Sequence, residues 1–146
     1  MSIEDRLADL GIDLPPVAKP VAAYVPAIQV GDQISTSGQL PLVSGSLPMT
    51  GLVGDQISQG DAAGQARVAA LNALAAAADV AGGVNNIRRV VRVVVYVAST
   101  ADFTAQPAVA NGASELFGEI FGDAGRHIRS AIGVASLPLG APVKVC

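Results

Sequence analysis

Eight residues, Val90-Val91-Arg92-Val93-Val94-Val95-Tyr96-Val97, do most to limit what this chain can become. β-Branched side chains suit a pleated surface better than a helix, so the run reads as a strand within Ile87 to Ala98. It is apolar on both faces, which marks a central strand: one face lies under helices, the other against a partner or a closed sheet. Arg92 and Tyr96 fall on one face, so that side carries polar ends. Two segments qualify as the covering helices. Asp61 to about Val80 is the longest, stopped by Gly82-Gly83, with Val68, Leu71, Leu74 and Ala78 at core spacing. Pro107 suits the first turn of the other, which runs to about Phe121 with Val109, Leu116, Phe117, Ile120 and Phe121 apolar.

The remaining elements follow from caps, prolines and alternation. Ser2 is placed to cap a short helix with Asp5 three residues on, and Ile3, Leu7 and Leu10 form its stripe before Gly11 closes it. Leu14-Pro15-Pro16-Val17-Ala18-Lys19-Pro20 is an extended lead-in, because its prolines fix φ and remove donors. Residues 1–19 are therefore expected as helix and lead-in, and residues 20–146 as one domain. Tyr24 to Gly38 reads as a hairpin turning at Gly31-Asp32. Pro41 to Gly60 reads as loop, with room for a short strand at Ser46-Leu47-Pro48-Met49. A strand from Ile128 and a last one at Pro142 to Cys146 complete the set. Hairpin, helix, strand, helix, strand, strand is an α+β order, most simply two helices on one face of a mixed β-sheet.

Composition then bears on function. Half the residues (51%) are hydrophobic and 14% are charged, so some apolar surface must be hidden by more than the chain's own core, most simply in a homo-oligomer. A net charge of −3, with Arg88-Arg89 and Arg92 the nearest approach to a basic cluster, speaks against nucleic acid as a partner. One cysteine, Cys146, and one histidine, His127, cannot form an intramolecular disulfide or a Cys/His zinc site. No apolar run reaches membrane-spanning length, and the N-terminus lacks a signal-peptide pattern, so a cytoplasmic protein without a membrane partner is expected.

The stretch most concerned with function is Gly125 to Pro138. As a strand it places Ser130, Ile132, Val134 and Ser136 on one face, whose branched aliphatics suit a core. Arg129, Ala131, Gly133 and Ala135 fall on the other, where small residues let a ligand or second subunit approach the backbone. Arg129 at the end of that row either grips an anion through its donor fork, pairs with a carboxylate, or snorkels to water.

Tyr24, Thr36-Ser37-Gly38-Gln39-Leu40-Pro41, Asn111, and Arg129-Ser130 followed by Leu137-Pro138 together resemble the YjgF/RidA family, over roughly Pro20 to the C-terminus. Leu137-Pro138-Leu139-Gly140-Ala141-Pro142, the N-terminal helix and Gln106-Pro107 resemble a branch distinct from RidA proper. The resemblance implies a chorismate-mutase-like fold, a homotrimer and ligand sites in clefts between subunits. It implies that Arg129 binds the carboxylate of a 2-imino or 2-enamino acid, that Tyr24, Ser37, Gly38 and Asn111 line the cleft, and that the Ala131 carbonyl helps hold the attacking water. Hydrolysis would then release ammonia and a 2-keto acid, with no metal or cofactor.

One departure matters: a glutamate often present in RidA on the last strand falls at Lys144. Either activity is weak and the cleft binds a small carboxylate without turnover, or Lys144 supports a second carboxylate of another substrate, or it points to solvent. Tyr24 and Ser37 also have ordinary readings, as a half-buried ring and as a strand-end hydroxyl on backbone. His127 has no motif partner that would make a triad and reads as a loop residue near the cleft mouth; Cys146 reads as inert. Some relatives carry a ribonuclease or translation-inhibitor label, against which the acidic charge argues.

Overall fold

A computed structural model describes residues 1–20 and 22–146. The chain opens with α1 (Ile3–Asp9), capped at Ser2 by the reciprocal bonds expected with Asp5. A hairpin of β1 (Ala27–Val30) and β2 (Gln33–Thr36) follows, turning on Gly31 at φ 60°. Then come α2 (Gln59–Ala81), β3 (Arg92–Ala98), α3 (Gln106–Phe121), β4 (Ile128–Val134) and β5 (Val143–Val145). The order is α+β, with the third, short helix α1 at the start. No described helix is long and apolar enough to cross a membrane.

β3 is central, paired in parallel with β4 and antiparallel with β5. The expected single mixed sheet is instead a three-stranded mixed sheet and the two-stranded hairpin, joined by a bridge between Gln39 and Val145. Helices α2 and α3 cover one face, α2 over the hairpin and β5, α3 over β3 and β4. Val93, Val95 and Val97 of β3 are buried beneath them with Leu116, Phe117 and Ile120 of α3.

Three details differ from the sequence reading. Helix α2 starts at Gln59 with Ser58 as its cap, because the Ser58 hydroxyl, not Asp61, accepts the first free amide, that of Asp61 at 3.1 Å. Its core face is made by Ala62, Ala66, Ala69, Ala70 and Ala73 with Leu74, whereas Val68 and Leu71 are only half-buried. The cause is the closeness of α3: a Cβ at Gly112 would collide with the Ala63 carbonyl, so only small residues fit that seam. At Ser46 to Met49 there is no strand, only a turn in which Val43 bridges Ser46.

The faces of β4 are also the reverse of those expected. Register places Arg129, Ala131 and Gly133 beside Val93, Val95 and Val97, so the small-residue face lies toward the helices. A Cβ on Gly133 would come within 2.7 Å of Nε2 of Gln106, a side chain from the start of α3, and 3.1 Å of Ser99 Oγ. Ile128 and Ile132 face the other way and are 65% and 42% exposed. Tyr96 and Lys144, cross-strand partners, lie on that same open face.

Candidate functional site

Because β3 and β4 are parallel, α3 must cross back over the sheet, and the crossover lays its Asn111 and Ser114 above the start of β4. Arg129 reaches up between them. Its Nη1 donates to Asn111 Oδ1 at 2.7 Å and to Ser114 Oγ at 3.2 Å. Among the described residues, its Nε and Nη2 edge is left to a ligand. That edge matches the two oxygens of a carboxylate.

His127 stands two residues before Arg129, its Nδ1 2.6 Å from the Gly125 carbonyl and its Nε2 2.9 Å from Ser114 Oγ. A carbonyl only accepts, so Nδ1 carries the proton; in the neutral ring Nε2 then accepts from the Ser114 hydroxyl. Phe117 meets the imidazole edge-on at 6.0 Å and 85°. Gly125 is buried against the Phe117 carbonyl, where a Cβ would collide, so the turn that presents His127 is held tightly. Ser114, Gly118, Gly125, Arg126, His127 and Arg129 line an open cleft of about 320 Å³. Arg126 is almost fully exposed and 3.8 Å from an exposed Asp123, a pairing too loose to hold it. Among the described residues no group of three or more His, Cys, Asp or Glu side chains is arranged to hold a metal.

The structure thus joins Arg129 with Asn111, and Ala131 lies two residues along the same face, half-buried under α3. The other residues named from sequence stand elsewhere. Ser37 donates its hydroxyl to the carbonyls of Val25 and Pro26, at 2.7 and 3.0 Å, closing the hairpin base. Tyr24 beside it is 57% exposed. The Lys144 side chain lies across Gly38, where a Cβ would collide with it, on the open face. From β4 to β2 the path crosses β3 and β5, about 14 Å at the usual strand spacing. One chain alone does not unite Lys144 with Arg129. The Cys146 thiol is pushed above its ordinary pKa by burial, which keeps it protonated and unreactive at neutral pH.

Ser114 was not apparent from sequence, nor was the partner of His127. A polar or small stripe at Asn111, Ser114 and Gly118, spaced i, i+3, i+7, was the available signal. It stands next to the apolar stripe that dominates α3. His127, expected near the cleft mouth, lines the cleft.

A family model described as "YjgF/chorismate_mutase-like, putative endoribonuclease" matches residues 4–145. The chain belongs to this family. Protein TCP17 of Trypanosoma cruzi is 41% identical over 141 residues, covering 96% of this chain and 88% of that one. A solved structure from Shewanella oneidensis, described as an endoribonuclease of that same provisional kind, is 33% identical with a TM-score of 0.94, covering 99% and 96%. Escherichia coli TdcF with bound serine shares the fold at a TM-score of 0.63 and 23% identity, covering 88% of each chain. The YjgF-family fold is therefore common to all three, and the stronger likeness to the first two accords with a distinct branch.

Proposed function

We propose that the Arg129 cleft binds the carboxylate of a small 2-imino or 2-enamino acid and hydrolyses it to a 2-keto acid and ammonia. The observation that carries this reading is the bracing of Arg129 Nη1 by Asn111 and Ser114, which leaves the Nε and Nη2 edge preorganised for a carboxylate. A protonated imine carbon is already electrophilic, so positioning and one water supply most of what the reaction needs. The Ala131 carbonyl, on the same strand, is the group assigned to hold that water. TdcF, a structural relative, was solved with serine bound, itself a small carboxylate.

The site is completed, in this reading, by neighbouring copies in a homotrimer. Ile128, Ile132, Ile28 and Val30 are exposed in the single chain, and burying such a set on another copy removes apolar surface from water. A second copy would bring its own Tyr24, Ser37, Gly38 and Lys144 toward Arg129, which the single chain does not. Lys144 favours a second reading, binding without turnover, because an ammonium holds no lone pair to receive a proton.

An amino-acid oxidase that generates 2-imino acids in the presence of semicarbazide separates these readings. Faster imine loss with wild type, absent in Arg129→Ala, is the expected result. An inert wild type with an active Lys144→Glu variant favours binding alone. RNA cleavage, the activity in the family's description, predicts salt-sensitive RNA binding; with a net charge of −3 none is expected.

A further inference from the structure

We infer that His127 is a positioning residue for Arg129, acting through Ser114, and that it helps fix the guanidinium without neutralising it. The inference rests on the carboxylate-binding half of the reading above and is independent of turnover. Ser114 and His127 stand on the Nη1 side of the guanidinium, away from the edge left to the ligand. They act on Arg129 and not on the substrate.

Proton counting fixes the direction of the chain. Both Nη1 hydrogens are taken, one by Asn111 Oδ1 at 2.7 Å and the other by Ser114 Oγ at 3.2 Å. A hydroxyl has one proton of its own, and it accepts from Arg129 only while that proton points elsewhere. His127 Nε2, 2.9 Å away, receives it. Nε2 is free to accept because the Nδ1–H is committed to the Gly125 carbonyl at 2.6 Å. That carbonyl belongs to a buried glycine packed on the Phe117 backbone with no room for a Cβ. Phe117 also meets the imidazole edge-on and limits its rotation. The chain therefore runs from a fixed point of the backbone, through imidazole and hydroxyl, to the guanidinium. Without His127, the Ser114 hydroxyl has the Ala110 carbonyl one turn back on α3, the usual partner of a serine inside a helix. A Ser114 free to make that bond no longer keeps its lone pairs toward Arg129.

Every member of this brace is uncharged: an amide, a hydroxyl, a neutral imidazole and a peptide carbonyl. The carboxylates of the neighbouring elements are engaged or turned out. Glu119 of α3 pairs with Arg67 of α2, Asp123 of the turn before β4 lies 3.8 Å from Arg126, and Glu115 of α3 is exposed. Among the described residues Arg129 forms no ion pair. A carboxylate in the place of Ser114 would hold the side chain as firmly, but it would take the charge that an anionic ligand needs. A neutral brace sets direction and leaves the full positive charge.

The test has two parts. His127 is the chain's one histidine, so 15N NMR of untagged, histidine-labelled protein reports its tautomer without assignment. At about pH 8, where an ordinary imidazole is neutral, Nδ1 is expected protonated and Nε2 bare; a protonated Nε2 overturns the inference. Calorimetry then follows pyruvate binding to wild type, Arg129→Ala, Ser114→Ala, His127→Leu, His127→Gln and the Ser114→Ala/His127→Leu double variant. Leucine keeps apolar packing against Phe117 but accepts nothing, whereas the glutamine carbonyl restores an acceptor near the place of Nε2. Expected are loss of binding in Arg129→Ala, and affinity about 5- to 10-fold weaker in Ser114→Ala and in His127→Leu. The double variant should fall within about twofold of either single one, and His127→Gln within about threefold of wild type. Unchanged affinity in His127→Leu, additive losses in the double variant, or a glutamine variant as weak as leucine overturns the positioning role and leaves the Arg129 reading standing. Pyruvate binding no tighter in wild type than in Arg129→Ala overturns both.

Discussion

Arg129 and Lys144 are cations on strands separated only by β3, yet they occupy opposite faces of the sheet and are held in opposite ways. Arg129 stands under a helix, fastened by two side chains through one nitrogen. Lys144 lies along a glycine on the open face. Fastening leaves the guanidinium one conformation, so little side-chain entropy is lost when an anion arrives. The open face has no such bracing, but it has exposed isoleucines that a second copy would cover. One face braces a charge, and the other leaves isoleucines uncovered in the single chain.

The sharpest way to break that contrast is Ile132→Glu, which puts a charge in the middle of the open face. If the proposed homotrimer meets through this face, its loss to a single-chain mass of 14.6 kDa in light scattering is expected, together with loss of turnover. An unchanged assembly would mean that copies meet elsewhere. Arg129→Ala comes next, with an expected fall of about 10³-fold in kcat/KM and no change in assembled mass; Arg129→Lys recovers only part, lacking the fork. Within the packing on the helix face, Leu116→Ala removes a fully buried side chain. A loss of about 3 kcal/mol, or roughly 8 °C in Tm, is expected in a thermal melt.

The smallest effect concerns α1, distant from both faces of the contrast. Asp5 is held below its usual 3.8 by the Ser2 backbone amide and then by the Ser2 hydroxyl. A carboxylate with a lowered folded-state pKa adds stability that is present above 3.8 and is lost as pH falls through the lower value. A lower amide protection factor at Asp5 in acid, corrected for the intrinsic pH dependence of exchange, is expected, with the rest of the helices unaffected; Asp5→Asn should remove the change.

How much was legible in the sequence varied with how local the cause is. The caps at Ser2 and Gly82, the turn at Gly31-Asp32 and the stop at Gly122 depend on a few adjacent residues, and the structure has them where expected. Ser58 and Asp61 are both good cap residues, and only the hydrogen bond in the folded chain tells them apart. Asn111 with Arg129 was legible as a pair through the resemblance. Ser114 with His127 was not, since a helix and a turn must first be folded together to bring them to 2.9 Å.

By itself the sequence determined the element types and order, the central place of the Val90–Val97 run and the alternation of two faces along β4. Periodicity is a property of neighbouring residues, and it survives any tertiary arrangement. Only the tertiary structure decided which of those faces is the inner one. Branched Ile128 and Ile132 look like core, but the register with β3 turns Arg129, Ala131 and Gly133, beside the buried Val93, Val95 and Val97, toward the α3 crossover. The same crossover, by laying α3 over β4, made a site of Asn111, Ser114, His127 and Arg129, because convergence in space follows from how helices pack and not from spacing along the chain.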